Sequence, residues 1–249
     1  MTTIYILWLR QIKRYFRSKS RIVGSLGQPL LFLVALGFGF GPIYQKAGEG
    51  NYLDFLAPGV IAMSVLFTAI FFGVELIWDK QFGFLKETLV APVSRFNIML
   101  GRTLGGSTVA TIQGVIVFLL TLLIGFRPNS WAMVLLAVVV MFLIATIFTA
   151  LGTAIATILN DMHGFQLIMS FLVMPLFFLS GAIFPLQGIP RALEIIARID
   201  PLTYGVDALR ATLIGQSFFN FGLDLTILLG LGVLILAVGS LFFSRMEVK

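Results

Sequence analysis

The chain has 249 residues, 59% of them hydrophobic and 11% charged, with a formal net charge of +6 and no cysteine. Soluble domains carry roughly 25% charged residues, and a mean hydropathy of +1.03 cannot be hidden inside one water-soluble core, so the composition predicts an all-α integral membrane protein. The missing cysteines exclude disulfides and thiolate-held metals, and the single histidine, His163, excludes a multi-histidine metal cluster.

The first element is basic and amphipathic. Arg10, Lys13, Arg14, Arg17 and Arg21 recur at helical spacing, with Tyr5, Trp8, Leu9, Ile12, Tyr15 and Phe16 on the opposite stripe. This pattern predicts an interfacial helix over residues 1–21, lying in a headgroup layer. The apolar stretch that follows is too long for a signal-peptide core and has no small-residue cleavage pattern.

About 20 helical residues cross a hydrocarbon core of roughly 30 Å, and a charge at mid-bilayer costs at least ~2.5 kcal/mol. Charge-free windows therefore mark the spans, and they run 22–45, 55–74, 103–126, 128–160, 164–190 and 225–244. Each holds one helix, predicting six spans near 23–44, 55–75, 100–125, 131–158, 165–186 and 225–244. Small residues at Gly37 and Gly41 form a G-x-x-x-G in the first span, a spacing that lets helices approach closely at a pathway or dimer contact. Counting Lys and Arg with the N-terminus inside gives 12 on the cytoplasmic side and five outside, namely Lys46, Arg127, Arg191, Arg198 and Arg210. That asymmetry predicts both termini in the cytoplasm. Trp78 and Trp131 fall at span ends, where an indole prefers to lie.

Between the second and third spans sits "DKQFGFLKETLVAPVSR", Asp79 to Arg95. On a helix, Trp78, Phe82, Leu85 and Leu89 share one face, and Asp79, Lys80, Gly83, Lys86 and Glu87 another. Pro92 ends it and Ser94 can cap the next helix. The segment predicts a short amphipathic helix over residues 80–90 at the cytoplasmic mouth, suited to rest on headgroups or to dock into a soluble partner. No G-x-x-x-x-G-K-[ST] and no Gly-Lys dipeptide occurs in the chain, so it carries no phosphate-cradling loop of its own.

The last distinctive segment is "PLFFLSGAIFPLQGIPRALEIIARIDPLTYGVDALRATLIG", residues 175–215. Pro175, Gly181 and Pro185 interrupt the fifth span. Pro190 suits a first-turn position, Asp200–Pro201 an N-cap and first turn, and Gly215 a stop. Leu193, Ile196 and Ala197 form an apolar face opposite Arg191, Glu194 and Arg198. The pattern predicts two short external helices over 188–215, as a re-entrant hairpin whose backbone must be covered by protein or as an interfacial loop resting on lipid.

The run "FLVMPLFFLSGAIFPLQGIP…IDPLTYGVDALR" resembles the hallmark of the ABC type-2 exporter permeases, the six-span membrane subunits that include daunorubicin-resistance, nodulation-factor and polysaccharide-export permeases. "WDKQFGFLKETLVAPVSR" is similar to the first cytoplasmic loop of that family, and the resemblance covers essentially the whole chain. It implies a coupling helix gripping an ABC ATP-binding subunit through Phe82, Phe84, Leu85, Lys86, Glu87 and Val90, with a second contact at Asp161. It implies an external gate at Phe184, Pro185, Pro201, Tyr204 and Arg210. Glu75 departs from the family pattern, which favours an apolar or small residue there.

The expected function is thus the permease subunit of an ATP-driven exporter moving a hydrophobic or amphipathic cargo (drug, lipid or glycoconjugate) outward across the plasma membrane, as in multidrug efflux. The chain itself is not an enzyme and holds no cofactor or metal, ATP and Mg being bound by the partner. The implied partners are the ATP-binding subunit, a second copy of the chain and membrane lipid, with no nucleic acid. The alternative is a self-sufficient carrier or channel. An intramembrane enzyme is disfavoured because Ser64, Ser107, Ser170 and Ser180 have no histidine neighbour in sequence.

Overall fold

The computed structural model describes residues 2–46, 51–90 and 92–244. Met1 of the expected interfacial helix, and Arg245 and Lys249 of the charge count, lie outside them. The described residues form eleven helices: α1 (Thr2–Arg17), α2 (Lys19–Lys46), α3 (Tyr52–Phe71), α4 (Gly73–Gln81), α5 (Phe84–Val90), α6 (Arg95–Ile124), α7 (Trp131–Ile158), α8 (Met162–Leu179), α9 (Arg191–Ile199), α10 (Pro201–Ile214) and α11 (Phe221–Ser244). Six stretches are long and apolar enough to cross a membrane: α2, α3 with α4, α6, α7, α8 and α11. The chain is an all-helical, multi-pass membrane protein.

α3 is the axle of the bundle. It is buried along most of its length and touches α2, α6, α7, α8 and α10. Glycine makes two of its crossings possible. A Cβ on Gly73 would lie 2.4 Å from Gly152 O, and one on Gly152 would lie 2.2 Å from Ile70 O, so neither helix tolerates a side chain there. A Cβ on Gly59 would meet Ala182 O at 2.1 Å, where the broken end of α8 rests on α3.

α1 is shorter than the helix expected over residues 1–21. It ends at Arg17, and Lys19 already opens α2. Its buried stripe is Leu7, Gln11 and Tyr15, while Tyr5 and Phe16 are exposed. The helix lies along α6 because Gly101 and Gly105 leave a shallow trough: a Cβ on Gly105 would sit 2.8 Å from the Gln11 side chain, and one on Gly101 3.1 Å from Ile4 Cα. Tyr15 Oη donates to Gln113 Oε1 at 2.6 Å, and Trp8 Nε1 to Thr108 Oγ1 at 3.0 Å. The G-x-x-x-G that supports close helix approach within the chain is therefore Gly101/Gly105. Among the described residues, a Cβ on Gly37 would meet Leu53 of the same chain at 3.4 Å, and one on Gly41 would meet nothing within 4 Å.

Candidate functional site

The segment expected as one helix over residues 80–90 is two elements. α4 continues the second span to Gln81, a turn follows with Gly83 at φ +80°, and α5 begins at Phe84. A left-handed φ is cheap only for glycine, so Gly83 fixes the break. Lys80 and Asp79 thus belong to the span, Phe82 to the turn, and only Phe84, Leu85, Lys86, Glu87 and Val90 to the short helix. The expected face joining Trp78, Phe82, Leu85 and Leu89 does not form. Leu85 is 1% exposed and anchored in the core, whereas Phe82 is 71% and Val90 85% exposed. Phe84, Lys86 and Glu87 are exposed as well, leaving an outward surface of apolar side chains with one ion of each sign.

Behind this surface lies a cluster of charges. Asp79 is buried and receives Arg102 Nη1 at 2.7 Å and Arg10 Nη2 at 3.1 Å, with Arg14 Nη1 at 3.8 Å. Glu75, one turn earlier, receives Arg21 Nη1 at 2.6 Å and Arg14 Nη1 at 3.6 Å. Arg102 is itself 2% exposed. Breaking such a buried pair by removing one partner costs about 3–5 kcal/mol. The guanidinium of Arg14 also lies 5.7 Å from the Trp78 ring centroid, and that of Arg10 6.0 Å from Phe84. The basic stripe of α1 therefore turns Arg10 and Arg14 toward acids of α4. Glu75, the departure from the family pattern, is the partner of Arg21.

Lys80 makes a second tie. Its Nζ donates to Ala156 O at 2.9 Å, Thr157 O at 2.7 Å and Leu159 O at 3.0 Å, the carbonyls that the C-terminus of α7 leaves without helical partners. Gln81 Nε2 reaches Asn160 O at 3.2 Å. The next residue, Asp161, caps α8 by accepting from Gly164 N at 2.6 Å and His163 N at 3.3 Å. These two backbone donors hold the Asp161 carboxyl below the usual carboxylate range. Lys80 and Gln81 thereby join the base of α4 to the loop bearing Asp161, so the two segments assigned to partner contact share one support.

At the opposite end, the fifth span is shorter than the expected 165–186, since α8 stops at Leu179. Gly181 (φ +75°) and Gly188 (φ +78°) turn the chain into α9 and α10. α9 leaves Leu193, Ile195, Ile196 and Ile199 exposed and buries only Ala197. α10 is buried along nearly its whole length against α3, α7 and α11. Arg210 crosses from it to donate to Gly181 O at 2.7 Å and stacks over Phe55 with its guanidinium carbon 3.9 Å from the ring centroid. Burial pulls its pKa down to about 10, so it stays charged at neutral pH. Tyr204 donates to Arg198 O at 2.6 Å and stacks on Phe219. Asp200 caps α10 through Leu202 N at 2.8 Å, and burial pushes its pKa up to about 7. Phe184 is half-buried, Pro185 is exposed and Pro201 opens α10.

Sequence reasoning missed the ion cluster and the lysine tie. A signal was present: Glu75 and Asp79 stand four residues apart on one helical face at a span end, and buried carboxylates require cations. Among the described residues no group of three or more His, Cys, Asp or Glu could hold a metal.

This chain is similar to the transport permease ycf38 of Cyanophora paradoxa, 29% identical over 97% of this chain and 88% of the relative. It is also similar to nodulation protein J of Rhizobium leguminosarum bv. viciae, 27% identical over 83% of this chain and 80% of that protein. A ycf38 permease of Porphyra purpurea is 28% identical over 81% of the chain and 70% of its own length. Residues 2–214, from the first turn of α1 to the end of α10, match the ABC-2 type transporter family, so both the charged end of the bundle and the broken opposite end fall within the matched region, and the chain belongs to that family.

Proposed function

We propose that the chain is the permease subunit of an ATP-driven exporter, working as two copies around a common path, with ATP bound and hydrolysed by separate ABC ATP-binding subunits. It lies in the plasma membrane with both termini in the cytoplasm and moves a hydrophobic or amphipathic cargo outward. The observation that carries the reading is α5. Leu85 roots it in the core while Phe82, Phe84 and Val90 are exposed, an apolar surface that among the described residues is approached by the Arg10 guanidinium, 6.0 Å from the Phe84 ring, at the end of the bundle where basic residues gather. A force on that surface reaches α1, α6 and α7 through Asp79 and Lys80 rather than dissipating in a loose loop. The external elements around Tyr204 and Arg210 then serve as the outer gate.

The reading is tested by Glu87→Arg. Glu87 is exposed, so the variant should reach the membrane in normal amount and lose copurification with the ATP-binding subunit. Undiminished copurification and export would sink the assignment of α5.

A further inference from the structure

A cavity of about 390 Å³ opens between α2, α3 and α4 beside the α1–α2 turn. Its walls run from Met63 and Phe67 on α3 to Glu75 and Trp78 on α4, roughly 22 Å of helix at 1.5 Å per residue. The two ends differ in chemistry. The α3 end is aromatic and aliphatic, and the α4 end presents a carboxylate, a guanidinium and an indole. Two polar atoms along it are buried without a hydrogen bond: Ser64 Oγ and Glu75 Oε2. Arg14 Nη1 approaches the latter no closer than 3.6 Å, and Arg21 is engaged on the other oxygen, Oε1. Buried polar atoms are normally satisfied, and a few polar groups converging at one end of an apolar pocket are what fix a ligand's orientation.

We propose that this cavity binds an uncharged amphiphile with a hydroxyl-bearing head. A hydroxyl both donates and accepts, so one head group can donate to Glu75 Oε2 and accept from the remaining N–H groups of Arg21. An ammonium head meets two guanidiniums already beside the same carboxylate, and an anionic head meets the lone pairs of Glu75. Trp78 supplies a flat face for the C–H side of a hydroxylated ring. The tail lies along Met63 and Phe67, with Ser64 Oγ available to an oxygen near the head-tail junction. α2 forms a loose wall, since a side chain at Gly24, which lines the cavity, would meet nothing within 4 Å. The residues that line the site all belong to one chain. It rests on the exporter reading only in calling the occupant cargo, because binding itself needs no ATPase.

The test uses the full chain in phosphatidylcholine nanodiscs with Trp8→Phe and Trp131→Phe, leaving Trp78 as the only indole of the three. The probes are alkyl glucoside, alkyl sulfate and alkyltrimethylammonium, each brominated in the chain to quench a nearby indole. The glucoside should quench saturably, at a half-saturating concentration at least ten-fold below either charged probe. Gly24→Leu, at a lining position where a Cβ meets nothing within 4 Å among the described residues, and Ser64→Phe should each abolish the saturable part. Tighter binding of a charged probe overturns the head-group class, and unsaturable quenching indifferent to Gly24→Leu overturns the site. Neither result touches the α5 reading, which is tested separately by copurification.

Discussion

The ammonium of Lys80 sits 2.7 Å from Thr157 O and 3.0 Å from Leu159 O, closing the C-terminus of α7 with a side chain from α4. A charged donor at a helix C-terminus meets both the open carbonyls and the negative end of the helix dipole. Hydrogen bonds to charged groups contribute about 1.5–3 kcal/mol. Lys80→Met should therefore lower stability by about 2–3 kcal/mol, and Lys80→Arg should restore most of it. Thermal unfolding of the three proteins in one detergent checks this, and equal midpoints for Met and Lys would refute the tie.

The Asp79–Arg102 pair is buried on both sides. Asp79→Ala strands Arg102 and should cost about 3–5 kcal/mol. Adding Arg102→Met should recover part of that loss, since the double variant no longer buries an unpaired guanidinium. Arg10 also bonds Asp79, so recovery stays incomplete. A double-mutant cycle on folded yield and melting temperature measures the coupling.

The Gly73–Gly152 crossing admits no Cβ on either helix. Gly152→Val should force α3 and α7 apart, costing several kcal/mol and sharply reducing monodisperse protein on size exclusion, because the clashing atoms are backbone and cannot rotate away. Gly24→Val, on the open wall of α2, should leave the elution profile unchanged.

Asp200 gives a pH dependence. Its folded pKa, about 7 against 3.8 for the free group, is raised by burial, so the folded state holds the proton more tightly. The contribution of this group to stability is then greatest below pH 4, falls between about pH 4 and 7, and stays reduced above pH 7. Asp200→Asn keeps an oxygen to accept from Leu202 N, and Asn is as good an N-cap as Asp. It should flatten that dependence and gain about 1–2 kcal/mol at pH 8, after the cost of an unpaired buried amide. Melting temperature as a function of pH distinguishes the two proteins.

The elements differed in how far the sequence disclosed them. The six spans were visible because each apolar window must exceed the bilayer thickness, and helices form over all six windows. Gly83 was visible as a residue but not as a break, since Asp79–Val90 satisfies a helical period on either side of it. The buried stripe of α1 was not legible because Gln11 packs in the Gly105 trough while Tyr5 and Phe16 point away. Hydropathy cannot tell a face turned to lipid from one turned to a glycine-lined neighbour.

By itself, then, the sequence determined membrane residence and six stretches long and apolar enough to cross, because these depend on run length and charge, which are local. Which cations meet Glu75 and Asp79, which helix end Lys80 closes, and where a cavity opens were decided only when α1, α4, α6 and α7 came together. Those contacts join residues as distant as Lys80 and Leu159, 79 positions apart, and no local pattern encodes the distance between them.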